Sequence, residues 1–207
     1  MLNKIRDYLE FAGIQYRNPD KAGEEREKML ELRHKGQEAR KAFTELAKAF
    51  QVSHSDWQLQ QTSQWMNQAQ RLRPHFWAYL QRDGRVTEPM MALRLYGAPT
   101  DFGVSLEVSF IERKKDEQTL DKQAKVLELP AVEGIYYLVY SNGESYKMEA
   151  NEENRRTLRE KLRSQEVRKV LVKADVSFIE NQSVEAILEK LEDAYTRLLP
   201  YYEVTRG

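Results

Sequence analysis

The sequence has no cysteine. That excludes disulfides, thiol nucleophiles and cysteine-ligated zinc. It also lacks an excess of either charge: 33 Lys+Arg face 33 Asp+Glu, for a formal net charge of zero. Broad nucleic-acid binders and membrane-surface proteins usually carry a basic excess, so neither is expected. There is no long apolar run. The longest, Ile135–Tyr140, falls far short of the roughly 20 residues that cross a bilayer. Met1-Leu2-Asn3-Lys4-Ile5-Arg6-Asp7 mixes charge with apolar residues and lacks the apolar centre of a signal peptide. A cytoplasmic protein away from membranes is the expectation.

Chemical motifs are scarce as well. Neither GxxxxGK[ST] nor GxGxxG occurs, and Gly97 to Gly103 opens a strand, where a phosphate finds no helix N-terminus. No GxSxG elbow exists. The three histidines, His34, His54 and His75, are far apart in the chain and have no ligand spacing. Each reads as a surface or helix-end residue. No metal and no cofactor are expected.

What is present is enough for a core: 207 residues, 41% hydrophobic and 32% charged. One domain over 1–207 is expected, mainly helical over 1–85 and built of sheet and helices over 86–207. Helical spacing marks Leu2–Ala12, with Gly13 as the stop, and a long charged helix from about Asp20 to Gln51. Ser53 then caps a further helix carrying Trp57, Trp65, Met66, Ala69 and Leu72. His75–Leu80 adds one or two turns after Pro74.

The period then changes. Met90–Tyr96 and Val104–Arg113 read as a β-hairpin around the turn-rich loop Gly97–Gly103. Lys115–Leu129 reads as a helix. A second hairpin pairs Ile135–Ser141 with Tyr146–Ala150 around Asn142-Gly143, with a loop slightly longer than two residues. A helix from Asn151 to about Gln165, a strand Val167–Val176 and a last helix follow. Asn181 or Ser183 caps that last helix and Pro200 stops it. This order predicts an α+β fold: a helical N-terminal half packed on a twisted, mostly antiparallel sheet with C-terminal helices.

Two sets of residues could carry function. Pro99-Thr100-Asp101 followed by Ile111-Glu112-Arg113-Lys114 resembles the PD…(D/E)xK metal-dependent nuclease pattern. There, carboxylates matching Asp101 and Glu112 would bind a divalent ion and Lys114 would orient the attacking water. An unbroken strand between them would separate Asp101 from Glu112 by roughly 36 Å, which opposes that reading. The other set lies on the wet face of the sheet. Val104, Leu106, Val108 and Phe110 alternate with Ser105, Glu107 and Ser109, so Arg94, Glu107 and Ser109 can share that face with a tyrosine, one of Tyr136, Tyr137 and Tyr140, with Tyr137 taken as the candidate. Trp77 could line a pocket between the helices and the sheet. A basic stretch over Asn151–Lys173, net plus four, could dock an anion or an acidic partner.

Taken in order, Arg73-Pro74-His75-Phe76-Trp77, Met91-Ala92-Leu93-Arg94-Leu95-Tyr96, the Gly/Pro/Asp loop and Val104–Phe110 resemble a family of small uncharacterised bacterial proteins. The resemblance covers most of the chain by order of elements. It implies a helical N-terminal half on a twisted antiparallel sheet, and some members carry the label glucose-6-phosphate 1-dehydrogenase. It brings no site residues. The chain lacks a dinucleotide fingerprint, which disfavours the dehydrogenase activity. The expected function is a non-enzymatic binding or interaction protein for a small-molecule or protein ligand, with a metal-dependent hydrolase or nuclease as the alternative.

Overall fold

Met29, Leu32, Ala39, Phe43, Leu46 and Phe50 recur at helical spacing, and they form the buried stripe of a long helix, α2 (Arg26–Val52). The computed structural model describes residues 1–82, 84–85, 87–110, 117–179 and 181–206. α2 starts later than Asp20. Two short 3-10 turns, at Pro19–Lys21 and Gly23–Glu25, precede it, and Asn18 accepts from the Asp20 amide. α1 (Leu2–Leu9) is shorter than expected and lays Ile5, Tyr8 and Leu9 against α2.

The helix expected after Ser53 is absent. The chain is extended there, with β1 at Gln58–Leu59 and isolated bridges Gln15–Arg71 and Met66–Leu72. Its backbone groups are satisfied from outside the segment. Arg40 on α2 donates to the carbonyls of Thr62 and Ser63, and the Tyr8 hydroxyl donates to those of Trp65 and Arg73. The two tryptophans explain why a helix loses. A spacing of eight would put Trp57 and Trp65 on one helix face. Instead Trp57 packs on Tyr202, while Trp65 packs on Tyr16 and over Gly36 of α2. A methyl group at Gly36 would sit 2.5 Å from the Trp65 ring.

His75–Leu80 is likewise not helical. β2 (Trp77–Gln81) buries Ala78 and Leu80 on one face and turns Trp77 and Tyr79 to the other, a period of two. β3 (Met90–Ala98) and β4 (Asp101–Ser109) run further towards each other than expected. They pair as far as Ala98 with Asp101, leaving a turn of Pro99-Thr100. Gly97 has φ +96°, and a Cβ there would fall 2.1 Å from the Asp101 carbonyl oxygen.

α3 (Glu117–Ala124) and a 3-10 turn at Lys125–Leu127 replace the single helix expected over Lys115–Leu129. β5 (Tyr136–Ser141) and β6 (Glu144–Glu149) close around Asn142-Gly143 as a true two-residue hairpin. Both turn residues have positive φ, 53° and 84°. α4 (Glu152–Arg163) is capped by Asn151, which accepts from the Asn154 amide. β7 is Lys169–Ser177.

α5 (Val184–Arg206) has the Ser183 hydroxyl accepting from the Ala186 amide at its start. It does not stop at Pro200 but runs through it. A mid-helix proline costs about 3 kcal/mol. Tyr201, Tyr202 and Thr205 beyond it are all buried, and the Tyr201 hydroxyl donates to the Pro130 carbonyl at 2.6 Å. That packing offsets the lost helical bond.

The strands form one seven-stranded sheet in the order β1-β2-β3-β4-β7-β5-β6, antiparallel at every pairing. The fold is α+β. Leu80, Leu93, Leu106, Tyr137, Val172 and Ala174 belong to the main core, on the sheet face against which α5 packs. The opposite face carries the polar residues of every second position.

Candidate functional site

The polar face follows from alternation. On β4, Val104, Leu106 and Val108 go to the core and Ser105, Glu107 and Ser109 go the other way. On β7, Val170, Val172, Ala174 and Val176 go to the core, leaving Lys169, Leu171, Lys173 and Asp175 opposite. Register then assembles rows across the strands. Tyr79, Ala92, Glu107, Lys173 and Tyr136 are successive partners from β2 to β5. The next row holds Trp77, Arg94, Ser105 and Asp175.

Glu107 is the centre of this face and is 0% exposed. Arg94 donates from Nε and Nη2 to Glu107 Oε1 at 3.2 and 3.1 Å. Lys173 Nζ forms an ion pair with Oε2 at 2.9 Å. Burial by itself would raise the Glu107 pKa; the Lys173 and Arg94 charges outweigh it and hold the carboxyl below its ordinary value. The three groups therefore keep a net positive charge.

Aromatic rings surround the trio. The Trp77 ring has the Arg73 guanidinium 4.8 Å and the Arg94 guanidinium 5.4 Å from its centroid. His75 packs on the same indole at 5.7 Å. Burial, then the charges of Arg94, Arg73 and Lys173, push its pKa down to about 4, so its imidazole is neutral near pH 7. On the far side, Asp175 accepts from the Tyr136 hydroxyl at 2.9 Å and pairs with Lys147 at 3.1 Å. Burial and the nearby Asp175 carboxylate push the Tyr136 pKa upward.

The residues expected on the wet face divide. Arg94, Glu107 and Trp77 come together. Ser109 shares their face, one step along β4 from Glu107 and opposite Met90, and is 5% exposed. Tyr137 does not join them. It is 0% exposed on the core side, because its neighbours Tyr136 and Leu138 take the other face. Trp57 and Trp65, the other two tryptophans, are core residues, and Trp77 lies on the face away from the main core rather than between the helices and the sheet.

Asp101 is exposed at the β3–β4 turn, while Glu112 and Lys114 lie outside the described residues. Among the described residues, no three His, Cys, Asp or Glu side chains stand together as a metal site. No described helix is long and apolar enough to cross a membrane. The basic stretch is not one surface either. Arg155 turns to the Leu127 carbonyl and Glu152, whereas Lys173 points into the sheet face. A cleft of about 600 Å³ opens elsewhere, among Leu120, Ala124, Leu162 and Val167, with Asp121 and Arg168 on its rim.

Sequence reasoning missed Arg73, His75 and Asp175 at this site, placed Lys173 only in the basic stretch, and held Tyr136 as one of three tyrosines for the wet face. The signal for Lys173 and Asp175 was the period of two over Lys169–Ser177. For Arg73 and His75 it was their nearness to Trp77 in the chain, which a helical reading of that segment conceals. The sequence matches no known family model and no curated relative.

Proposed function

We propose that the protein is a non-enzymatic binding module whose polar sheet face receives a small ligand at its Trp77 edge. The observation that supports this is the Arg94–Glu107–Lys173 cluster, buried on the side away from the main core and edged by Trp77. Taking three charges out of water costs several kcal/mol per ion, and well-packed apolar side chains of similar volume would often serve stability as well or better. A cluster kept at that cost, with Arg94 still 26% exposed beside an indole, reads as recognition. The groups are poorly suited to proton transfer. Glu107 is held ionised with both oxygens engaged, and His75 titrates near 4, well below the range of a general base working at neutral pH.

A thermal-shift screen of anionic, neutral and cationic metabolites at fixed ionic strength tests this. A ligand that binds only the native state raises its melting temperature. Compounds that stabilise the wild type but not Trp77→Ala support the face as the site. Equal stabilisation of both proteins by every hit sinks the reading.

A further inference from the structure

Taking that face as the binding site, the geometry points to the chemical class of its ligand: a small molecule bearing an oxyanion, carboxylate or phosphate monoester, received by Arg73 and Arg94 beside Trp77. Arg94 spends Nε and Nη2 on Glu107 Oε1, which among the described residues leaves Nη1 as a donor; its side chain is 26% exposed. Arg73 spends Nε on the Met66 carbonyl at 3.2 Å and is half-buried. Among the described residues its two terminal nitrogens remain as donors. Both guanidinium groups stand against one indole, which limits the rotamers they lose on binding. Flat guanidinium forks match the paired oxygens of carboxylate and phosphate.

Charge agrees with shape. Arg73, Arg94 and Lys173 bring three positive charges and Glu107 a single negative one. Asp175, in the next row of the same face, is already engaged by Lys147 and the Tyr136 hydroxyl. Within these four groups the positive charges exceed the negative by two, in a chain whose formal net charge is zero. Burial first, and then the same three cations, suppress protonation of His75, with Glu107 opposing them. His75 therefore reports the potential an incoming anion would meet.

The test follows His75 by NMR, assigned with His75→Gln, in sodium phosphate, sodium acetate and sodium chloride at equal ionic strength. An anion seated near the ring lifts its pKa from about 4 by roughly one unit. Phosphate or acetate is expected to do so and chloride is not. A stronger response to phosphate assigns a phosphate monoester, and a stronger response to acetate assigns a carboxylate. Arg73→Gln carries the control, because Arg73 takes no part in the buried trio. It should weaken the response about tenfold, the loss of one charge-assisted contact. The melting temperature at pH 7 gives a second readout, rising with the effective anion in the wild type and far less in Arg73→Gln. The inference is overturned if neither oxyanion moves His75 beyond chloride, or if Arg73→Gln responds like the wild type. If the hits that depend on Trp77 are neutral molecules, the face stands as the binding site and the oxyanion assignment alone falls.

Discussion

A single tyrosine shows how much one register step decides. Tyr136 and Tyr137 are adjacent, yet the first hydrogen-bonds Asp175 on the open face and the second is buried in the core. The Tyr137 hydroxyl is buried with no hydrogen-bond partner among the described residues, and burial pushes its pKa upward. An unsatisfied buried hydroxyl costs about 1–3 kcal/mol. Tyr137→Phe is therefore expected to be neutral or stabilising by up to about 1 kcal/mol in urea denaturation, and to leave ligand binding unchanged. His75 supplies a pH signature. Its folded-state pKa, about 4, lies below the ordinary 6.5, so the unfolded chain takes up the proton first as pH falls. Stability from this group is present above pH 6.5 and lost between 6.5 and 4. The full shift corresponds to about 3 kcal/mol, which solvent screening of the partly exposed ring reduces to roughly 2. His75→Gln should flatten the stability–pH curve in that window, measured by urea melts at pH 7 and pH 4.5. A slope unchanged by the substitution would mean the imidazole is not held neutral by its neighbours.

At the scale of elements, packing decides against local preference wherever the two conflict. Gly36 lies within α2, where alanine would gain about 1 kcal/mol of helix propensity. The added methyl would meet Trp65 ring carbons at 2.5 and 2.6 Å, and that ring is 6% exposed with little room to move. Overpacking of this kind costs about 1–3 kcal/mol. Gly36→Ala should thus lower the melting temperature despite its better propensity, and Gly36→Ala with Trp65→Leu should recover part of the loss relative to Trp65→Leu alone. The same competition explains what was legible in the sequence. α2, β4 and the Asn142-Gly143 hairpin were readable because each carries its own period or turn chemistry. The Ser53–Leu72 segment was not. Its glutamines favour helix, but Arg40 and Tyr8, from distant parts of the chain, take its carbonyls, and its two tryptophans are drawn to different partners. α5 outran Pro200 for a like reason, since the three buried residues beyond the proline are anchored by tertiary contacts that no local rule contains. At the candidate site, Arg94 and Glu107 followed from strand alternation. Lys173 required knowing that β7, not β5, lies beside β4.

Across the whole molecule, the balance of charge conceals a division of labour. Surface ion pairs such as Lys35–Glu31 contribute little, while Arg73, Arg94 and Lys173 gather around the single carboxylate of Glu107 on one sheet face. The two ends of the chain are joined by aromatic packing. Trp57, just after α2, packs at a tilt on Tyr202 at 4.6 Å and donates from its indole nitrogen to the Tyr195 hydroxyl at 3.2 Å. His54 reaches Glu192 at 3.0 Å, and Arg82 ties Asp56 to Glu203 at 2.6 and 2.7 Å. α5 also packs on β4 and β7, so it touches both the helical N-terminal part and the centre of the sheet. Helices and sheet should therefore unfold together. Tyr202→Ala removes a fully buried ring from this junction and should cost about 3–5 kcal/mol, as large-to-small core changes do. For a chain of this length that corresponds to a fall of roughly 10 °C in melting temperature. Tryptophan fluorescence reports the helical part and its edge strand, and far-UV circular dichroism reports the whole backbone. In urea the two transitions should coincide in the wild type and shift by equal amounts in Tyr202→Ala, as a two-state unit requires. If the fluorescence midpoint alone moves, the helical part and the sheet are separate folding units, and α5 is only a surface contact between them.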